Sequence, residues 1–319
     1  RRLLISGVPR MLRYGFAGGI GLFIALIGMK TSGLLAARPG GGLVIGELTP
    51  AVISFLASFA ITAGLVVRKI KGAFIWGVFI STMIALPIGR WWGDVPLVIW
   101  QGWWAPPDFS LLGRLDLIGA AGMMHLPVII VLVFTSFFDS YSTCVGVGEA
   151  GDLVDEHGEP VAVRESLTCN AIAVALSGIV GASPATAYIE SSTGVRAGGR
   201  TGLTAVVAGL LFLPFLFLSP LVALVPPIAT APLLVLAGVF MLKPLIYVRW
   251  ERFDEAVPFF VAMIIMPLSQ SITQGAIWGL LSWTAIKAAG GRFRQISWIV
   301  IVLDLMAVFL LANMETFKH

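Results

Sequence analysis

The chain has 319 residues, of which 58% are hydrophobic and only 12% are charged, with a formal net charge of +4. The charged share is about half that of an average soluble protein, too little to cover a soluble globule of this length. The composition therefore predicts an all-α polytopic membrane protein, because the apolar runs are continuous and do not alternate as they would in an outer-membrane barrel.

The apolar runs predict a series of membrane spans. A helix needs about 20 residues to cross the hydrocarbon core, and several runs are shorter, so tilted or discontinuous helices are expected. In chain order the predicted spans are Leu12–Leu35, Thr49–Val67, Ala73–Ile88, Leu126–Val147, Leu167–Ala182, Thr201–Val225, Ala229–Leu242, Ala256–Leu268, Ile272–Ile286 and Ile296–Met314.

The distribution of Lys and Arg predicts that the N-terminus lies inside the cell. If residues 182–200 count as one crossing, all but five of the 21 basic residues fall on the inside. The basic residues follow the loops and do not form one patch, so they imply no nucleic-acid partner. The expected location is the cell (inner or plasma) membrane. The five exceptions are Lys30, Arg38, Arg90, Arg114 and Lys318.

A weak internal repeat relates the early spans to the late ones. The pattern Val, Pro, Gly, Phe at positions 8, 9, 21 and 23 recurs at 225, 226, 238 and 240, and GAFIWG (72–77) is echoed by GAIWG (275–279). By the loop count the two sets of three spans run in opposite directions, as in inverted-repeat transporters. Four crossings precede the second set and none precede the first, so we expect four N-terminal spans to be missing from this sequence.

Glu190 lies in a segment that is too short and too polar to be an ordinary span. Residues 166–189 before it carry no charge. A carboxylate at membrane depth costs roughly 2.5–3.5 kcal/mol on insertion scales, so it usually faces a cavity and marks a ligand or ion path. We predict a short strand followed by a half-helix near 185–196, with Ser191 and Ser192 favouring the helix start. The alternative is a structural ion pair of Glu190 with Arg196 or Arg200.

Asp139 is a second isolated carboxylate, within the predicted span Leu126–Val147 and next to Ser140. Two membrane carboxylates can accept hydrogen bonds from a ligand's N–H groups. Because burial disfavours the charged form, one of them can also carry a coupled proton, and we assign this role to Asp139. The alternative is a structural Asp bonded to a neighbouring Ser or Thr hydroxyl.

The sequence does not favour an enzyme, a metal site or a cofactor. It has no HExxH, GxSxG or Walker motif, so neither hydrolysis nor ATP-driven transport is indicated. The two cysteines, Cys144 and Cys169, lie in apolar runs and are expected to be free thiols.

Two motifs carry a family resemblance: FFDSYSTCVGVGEAGDL (137–153) and SPATAYIESSTGVRAGGRTGLTAVVAGLLF (183–212). They resemble the signature spans of the AzgA-like purine permeases of the nucleobase–cation symporter-2 (xanthine/uracil permease) family. The second match is long and ungapped, and the similarity extends from Arg1 to the C-terminus.

The resemblance implies a fold of fourteen spans in two inverted sets of seven, divided into core and gate domains, with the first four spans missing here. It assigns residues 1–90 to gate spans of the first repeat and 91–120 to an outside Trp-rich loop. It assigns 121–226 to core spans of the second repeat, 227–290 to its gate spans and 291–319 to an extra C-terminal hydrophobic segment.

The resemblance also implies the binding residues. The family's two carboxylates map onto Asp139 and Glu190, and Tyr188 and the backbone of Ile189 map onto positions that line the nucleobase pocket. In similar uracil permeases a Glu and, one turn later, a His occupy the places of Asp139 and Thr143. This departure favours the purine branch.

These observations predict a secondary active transporter that imports a purine nucleobase (guanine/hypoxanthine or adenine) by proton symport. Its expected partners are the base, a proton and the lipid bilayer, and a homodimer is left open. The alternatives are an inorganic-anion carrier on the same fold, which two carboxylates argue against, and an inactive membrane fragment.

Overall fold

The protein is described by a computed structural model. It describes residues 9–38, 42–70, 72–91, 102–120, 122, 126–151, 153, 161–188, 191–196, 198–293, 296 and 298–312. Within these residues the chain is predominantly helical, as the composition predicts.

The helices follow the apolar runs. In chain order the α-helices are α1 (Arg10–Thr31), α2 (Pro50–Val67), α3 (Ala73–Trp91), α4 (Leu117–Ala120), α5 (Leu126–Ala150), α6 (Val163–Val180), α7 (Ser191–Arg196), α8 (Gly202–Phe212), α9 (Ser219–Ala223), α10 (Pro227–Met241), α11 (Phe253–Ser269), α12 (Ile272–Ala289) and α13 (Trp298–Ala312). Two 3₁₀ turns, Leu213–Leu216 and Lys243–Tyr247, join α8 to α9 and α10 to α11.

Local sequence signals fix several helix ends. Thr49 caps α2 by accepting a hydrogen bond from the Val52 N–H, and Pro50 occupies the first turn, where its missing N–H costs nothing. Ser271 caps α12 in the same way through the Gln274 N–H. Gln270 adopts a left-handed conformation (φ 52°) between α11 and α12, so the chain reverses within two residues and the two helices form a hairpin.

The surface of the helices is suited to lipid. In the described part of the chain four helical stretches are long and apolar enough to cross a membrane: Met11–Thr31, Pro50–Val67, Val163–Val180 and Pro227–Tyr247. Large apolar side chains are exposed along other helices too, among them Leu203 (70%) and Phe212 (73%) of α8. Such exposure is unfavourable in water and normal against acyl chains.

The predicted span Thr201–Val225 is not one continuous helix. It consists of α8, the 3₁₀ turn Leu213–Leu216 and α9. Pro214 begins the interruption, because proline lacks the N–H needed for the helical ladder and its ring clashes with the carbonyl one turn earlier. The hydropathy of this run is uninterrupted, so the prediction missed the break.

The predicted strand before Glu190 is also wrong within the described residues. Residues 182–188 have no regular secondary structure, whereas the predicted half-helix is present as α7. A strand requires a hydrogen-bonded neighbour. The sheet that the described residues contain lies elsewhere, as an antiparallel hairpin of β1 (Leu35–Ala37) and β2 (Leu43–Ile45) that the sequence analysis did not predict.

The chain divides into two compact units. The first comprises Arg1–Phe23, Phe109–Arg196 and Phe240–His319, and the second comprises Ile24–Asp108 and Ala197–Val239. The core of the second unit contains Phe55, Ala85, Ile228 and Ala231. The assignment of chain segments to gate and core domains stays a prediction.

In the first unit, glycines let α1 and α12 approach α11 closely. A Cβ atom on Gly15 of α1 would lie 2.8 Å from the carbonyl oxygen of Phe259, and one on Gly279 of α12 would lie 2.7 Å from the Cβ of Ala262. Gly15 and Gly19 form one small-xxx-small pair, and Gly275 and Gly279 form another. Such pairs drive helix association in membranes, where packing replaces the hydrophobic effect.

We therefore expect Gly15→Ala to destabilise the first unit. The two closest contacts that the new methyl would make are to backbone atoms of Phe259, which can move only if the helices separate, and overpacking of this kind costs about 1–3 kcal/mol. The control is Gly64→Ala in α2, where no atom lies within 4 Å of the added Cβ. Thermal unfolding of the detergent-purified variants should show a lower melting temperature for Gly15→Ala alone. Equal melting temperatures would contradict the close packing of α1 on α11.

A charged cluster joins the open ends of the α11–α12 hairpin. Asp254 Oδ2 lies 2.6 Å from Lys287 Nζ and 2.6 Å from Arg292 Nη1. Lys287 is buried (3% exposed), whereas Asp254 is partly exposed and precedes the predicted span Ala256–Leu268. The hydrogen bond from Lys287 holds the pKa of Asp254 below its ordinary value, against the opposing effect of burial, and the charges of Lys287, Arg252 and Arg292 lower it further.

Candidate functional site

A cavity of about 750 Å³ lies within the first unit, between α5, α6 and residues 182–188, the irregular chain that follows α6. Most of its wall is apolar, and a few hydroxyl and amide groups converge on it. The lining residues on α5 are Leu132, Val133, Ser136, Phe137 and Ser140; those on α6 are Leu167, Asn170, Ala171 and Val174; the others are Pro184, Thr186 and Ile272. Mostly apolar cavities with a few placed polar groups are typical of small-molecule sites.

Contacts of Phe137 and Tyr141 stabilise the wall of the cavity that α5 forms. Phe137 stacks on Tyr141, one turn further along the helix, with ring centroids 6.1 Å apart and planes 8° apart. The Tyr141 hydroxyl accepts a hydrogen bond of 2.7 Å from Arg13 Nη1, and both residues are buried. Arg13 is therefore part of the packed interior of the first unit.

Asn170, on the α6 wall of the cavity, connects the irregular chain to α5. Its Oδ1 accepts a hydrogen bond from the backbone N–H of Ala187 (3.1 Å), and its Nδ2 donates to Ser140 Oγ (2.6 Å). The Ser140 hydroxyl donates in turn to the carbonyl of Ser136 (2.7 Å). A continuous hydrogen-bond chain therefore runs from the irregular chain through α6 to α5.

The irregular chain begins at a glycine that no other residue could replace without strain. Gly181 ends α6 with φ 79°, and a Cβ atom there would also lie 2.9 Å from the Leu111 carbonyl oxygen. Ser177 Oγ accepts a hydrogen bond from the Ala185 N–H (3.3 Å) and so anchors the start of the chain. At its far end the Ser191 N–H, in the first turn of α7, bonds to the Tyr188 carbonyl (3.2 Å).

The predicted site residues are described to different extents. Asp139 lies in α5 between the cavity-lining residues Ser136 and Ser140, and its side chain lies outside the described residues. Ile189 and Glu190 also lie outside them, between the irregular chain and α7. Tyr188 is described and 68% exposed. The roles assigned to these four residues stay predictions.

The sequence analysis missed Asn170, Ser177 and the buried contact between Arg13 and Tyr141. Asn170 could have been noticed, because an amide in an apolar helix is costly unless it is hydrogen-bonded and so usually has a partner. Ser177 resembles any other small residue of a span and gives no comparable signal. Within the described residues, groups of three or more His, Cys, Asp or Glu side chains that could hold a metal ion are absent.

Comparison with known proteins identifies the family. Residues 2–277 match the Permease family Xan_ur_permease. The chain is 38% identical to adenine permease AdeQ of Escherichia coli K12 over 307 residues, which are 95% of this chain and 67% of that protein. It is 38% identical to adenine permease AdeP of the same organism over 312 residues, which are 97% of this chain and 68% of the relative. It is 34% identical to guanine/hypoxanthine permease PbuO of Bacillus subtilis 168 over 314 residues, 96% of this chain and 71% of the relative.

The chain therefore belongs to this permease family. Membership confirms the resemblance on which the sequence analysis relied. Together with the apolar helices, it identifies a multi-pass protein of the cell membrane. Because the relatives are permeases by name, membership also agrees with the expectation that the chain is not an enzyme.

Proposed function

We propose that the protein imports a purine nucleobase together with a proton. The observation that carries the proposal is the cavity beside the Asp139 helix, which combines apolar walls with a small set of hydroxyl and amide groups. A purine has flat apolar faces and a rim of N–H and ring-nitrogen groups. Phe137 and its aliphatic neighbours suit the faces, whereas Ser136 and Thr186 suit the rim.

The relatives support the choice of substrate. AdeQ and AdeP are adenine permeases by name, and PbuO is a guanine/hypoxanthine permease. The proposal takes the substrate class from these names and takes the preferred purine to be adenine, because the adenine permeases are the more similar of the three. Among the described residues that line the cavity, Lys and Arg are absent, which argues against an inorganic-anion carrier.

In the proposed mechanism, protonated Asp139 and ionised Glu190 hold the base by hydrogen bonds to its rim. Asp139 takes its proton from the outside and releases it inside, since a carboxyl in a low-dielectric site is readily protonated and its affinity for the proton changes with access to water. Movement of the core spans against the gate spans then exposes the site to each side in turn.

The test is uptake of radiolabelled adenine, guanine and hypoxanthine by cells that lack their own purine permeases and express the complete reading frame. We expect saturable uptake that unlabelled purines compete for and uracil does not. A protonophore should abolish accumulation, and uptake should be faster at mildly acidic than at mildly alkaline external pH. Uptake that changes neither with the protonophore nor with external pH would contradict proton coupling. A lack of purine uptake would contradict the substrate class.

A further inference from the structure

We propose that Asn170 is a positioning residue that sets the distance between the two halves of the binding site. The proposal rests on the proposed function, because it concerns the spacing of Asp139 and Glu190. One of these residues belongs to α5 and the other follows the irregular chain, and Asn170 bonds to both elements.

The first part of the argument is location. Asn170 lies on the cavity wall, near the middle of α6. Its two bonding partners are Ser140, the residue after Asp139, and Ala187, three residues before Glu190. Each predicted carboxylate therefore lies within three residues along the chain of a bonding partner of Asn170, so we expect a shift of this side chain to affect both.

The second part is chemistry. The amide offers one acceptor and one donor group, and the site uses both: Oδ1 accepts from the backbone N–H of Ala187, and Nδ2 donates to Ser140 Oγ. The backbone N–H of the irregular chain needs an acceptor, because residues 182–188 form no helix or sheet that could supply one. An aliphatic residue at position 170 would supply neither bond.

The third part is that, among the described residues, another side chain that connects this stretch of chain to α5 is absent. In the described residues the other side-chain anchor of this stretch is Ser177, which bonds to the Ala185 N–H. The bond between Ser177 and Ala185 holds the irregular chain to α6 alone, since the Ser177 hydroxyl donates to the Val174 carbonyl within the same helix. Asn170 is therefore the residue that relates the chain to α5, and Ser177 provides a matched control.

The kinetic test compares N170A with S177A in the uptake assay, with radiolabelled adenine as the probe and with rates normalised to the amount of protein in the membrane. Two binding groups that are no longer correctly spaced cannot both reach one ligand, so N170A should raise KM about tenfold or more. S177A should leave KM within about twofold of the parent value. Asn170→Asp keeps the acceptor for Ala187 and can accept from the Ser140 hydroxyl, so it should restore KM in part.

A double-mutant comparison tests the bond between α6 and α5. If Asn170 acts through Ser140, the effect of S140A on KM should be much smaller in the N170A background than in the parent. Independent, multiplicative effects of the two substitutions would overturn the proposed route. Equal KM changes in N170A and S177A, or a change in protein abundance alone, would overturn the positioning role.

A second measurement needs no transport. In a background with Cys144→Ser and Cys169→Ser, Tyr188→Cys offers an exposed thiol next to Ala187. Its labelling rate with a maleimide should change severalfold on N170A and little on S177A, and equal rates in all three proteins would overturn the proposal. If the parent protein takes up no purine, the proposed function fails, and this labelling comparison still decides the role of Asn170.

Discussion

Substitution of Asp139 by Asn and Glu190 by Gln together is expected to reduce purine accumulation by about 100-fold or more. A hydrogen bond to a charged group contributes about 1.5–3 kcal/mol, and the double variant loses this interaction at Glu190 as well as the proton carrier at Asp139. The neutral amides have nearly the size of the acids, so the packing around them should be kept. Uptake per molecule in the membrane is the quantity to measure.

The single variants should fail in different ways. Asp139→Asn keeps a polar group but cannot take up a proton, so it should still bind and exchange purine across the membrane while losing accumulation and its response to external pH. Glu190→Gln loses the charged acceptor, so its KM should rise by about 10- to 100-fold while the pH response persists.

The control is Glu47→Gln, which neutralises an exposed carboxylate in the chain after β2. Its uptake should equal that of the parent protein. Parental uptake by the Asp139/Glu190 double variant would remove both residues from the site. A double variant no worse than the more affected single variant would show that the two groups act as one unit.

Asp254→Asn is expected to destabilise the α11–α12 hairpin by about 2–3 kcal/mol. Removal of one partner of a buried ion pair typically costs about 3–5 kcal/mol, because the other charge remains buried and uncompensated. The value here is lower because water reaches Asp254, whose side chain is 23% exposed. The substitution removes the carboxylate that compensates the buried charge of Lys287 at the end of α12. The Nζ atom of Lys287 also lies 6.0 Å from the Trp283 ring centre.

The same cluster predicts a pH dependence with a definite sign. The pKa of Asp254 is lower in the folded protein than its ordinary value of 3.8. The carboxylate's contribution to stability is therefore complete above that value and is lost as the pH falls through the lower pKa of the folded state. Melting temperatures measured from neutral pH to below pH 3.8 should fall less steeply for Asp254→Asn than for the parent protein.

Two variants make the Asp254 prediction specific. Glu251→Gln, on an exposed carboxylate just before α11, should leave the melting temperature unchanged. Adding Lys287→Met to Asp254→Asn removes the uncompensated charge and should recover much of the lost stability. A melting temperature for Asp254→Asn equal to that of Glu251→Gln would mean that the pair contributes nothing to stability.

Hydropathy was sufficient to predict most of the helices, because a bilayer selects for length and apolarity, which can be read locally. The start of α2 and that of α12 agree with the predicted spans to within a residue. The break at Pro214 was also present in the sequence, but a proline within a long apolar run is tolerated in some membrane helices, so its presence alone does not decide the outcome.

The contacts that define the cavity could not be predicted from the sequence. Asn170 and Ala187 are 17 residues apart, and Lys287 and Asp254 are 33 apart, so their pairing depends on how helices pack. Asp304 illustrates the same limit: the sequence assigns it no partner, and its Oδ2 accepts a hydrogen bond of 2.6 Å from Thr284 of α12. Residue type identifies which groups need partners, and only tertiary structure identifies the partners.

The close approach of α1 to α11 has a consequence for biosynthesis. Phe259 leaves the ribosome 244 residues after Gly15, a delay of roughly 12 to 50 seconds at 5–20 residues per second. Throughout that interval the glycine face of α1 lacks its α11 partner. Nascent chains that stop before α11 therefore present an unpaired small-residue helix, and the synthesis of α11 is the step at which quality control can distinguish chains that form the α1–α11 contact from chains that do not.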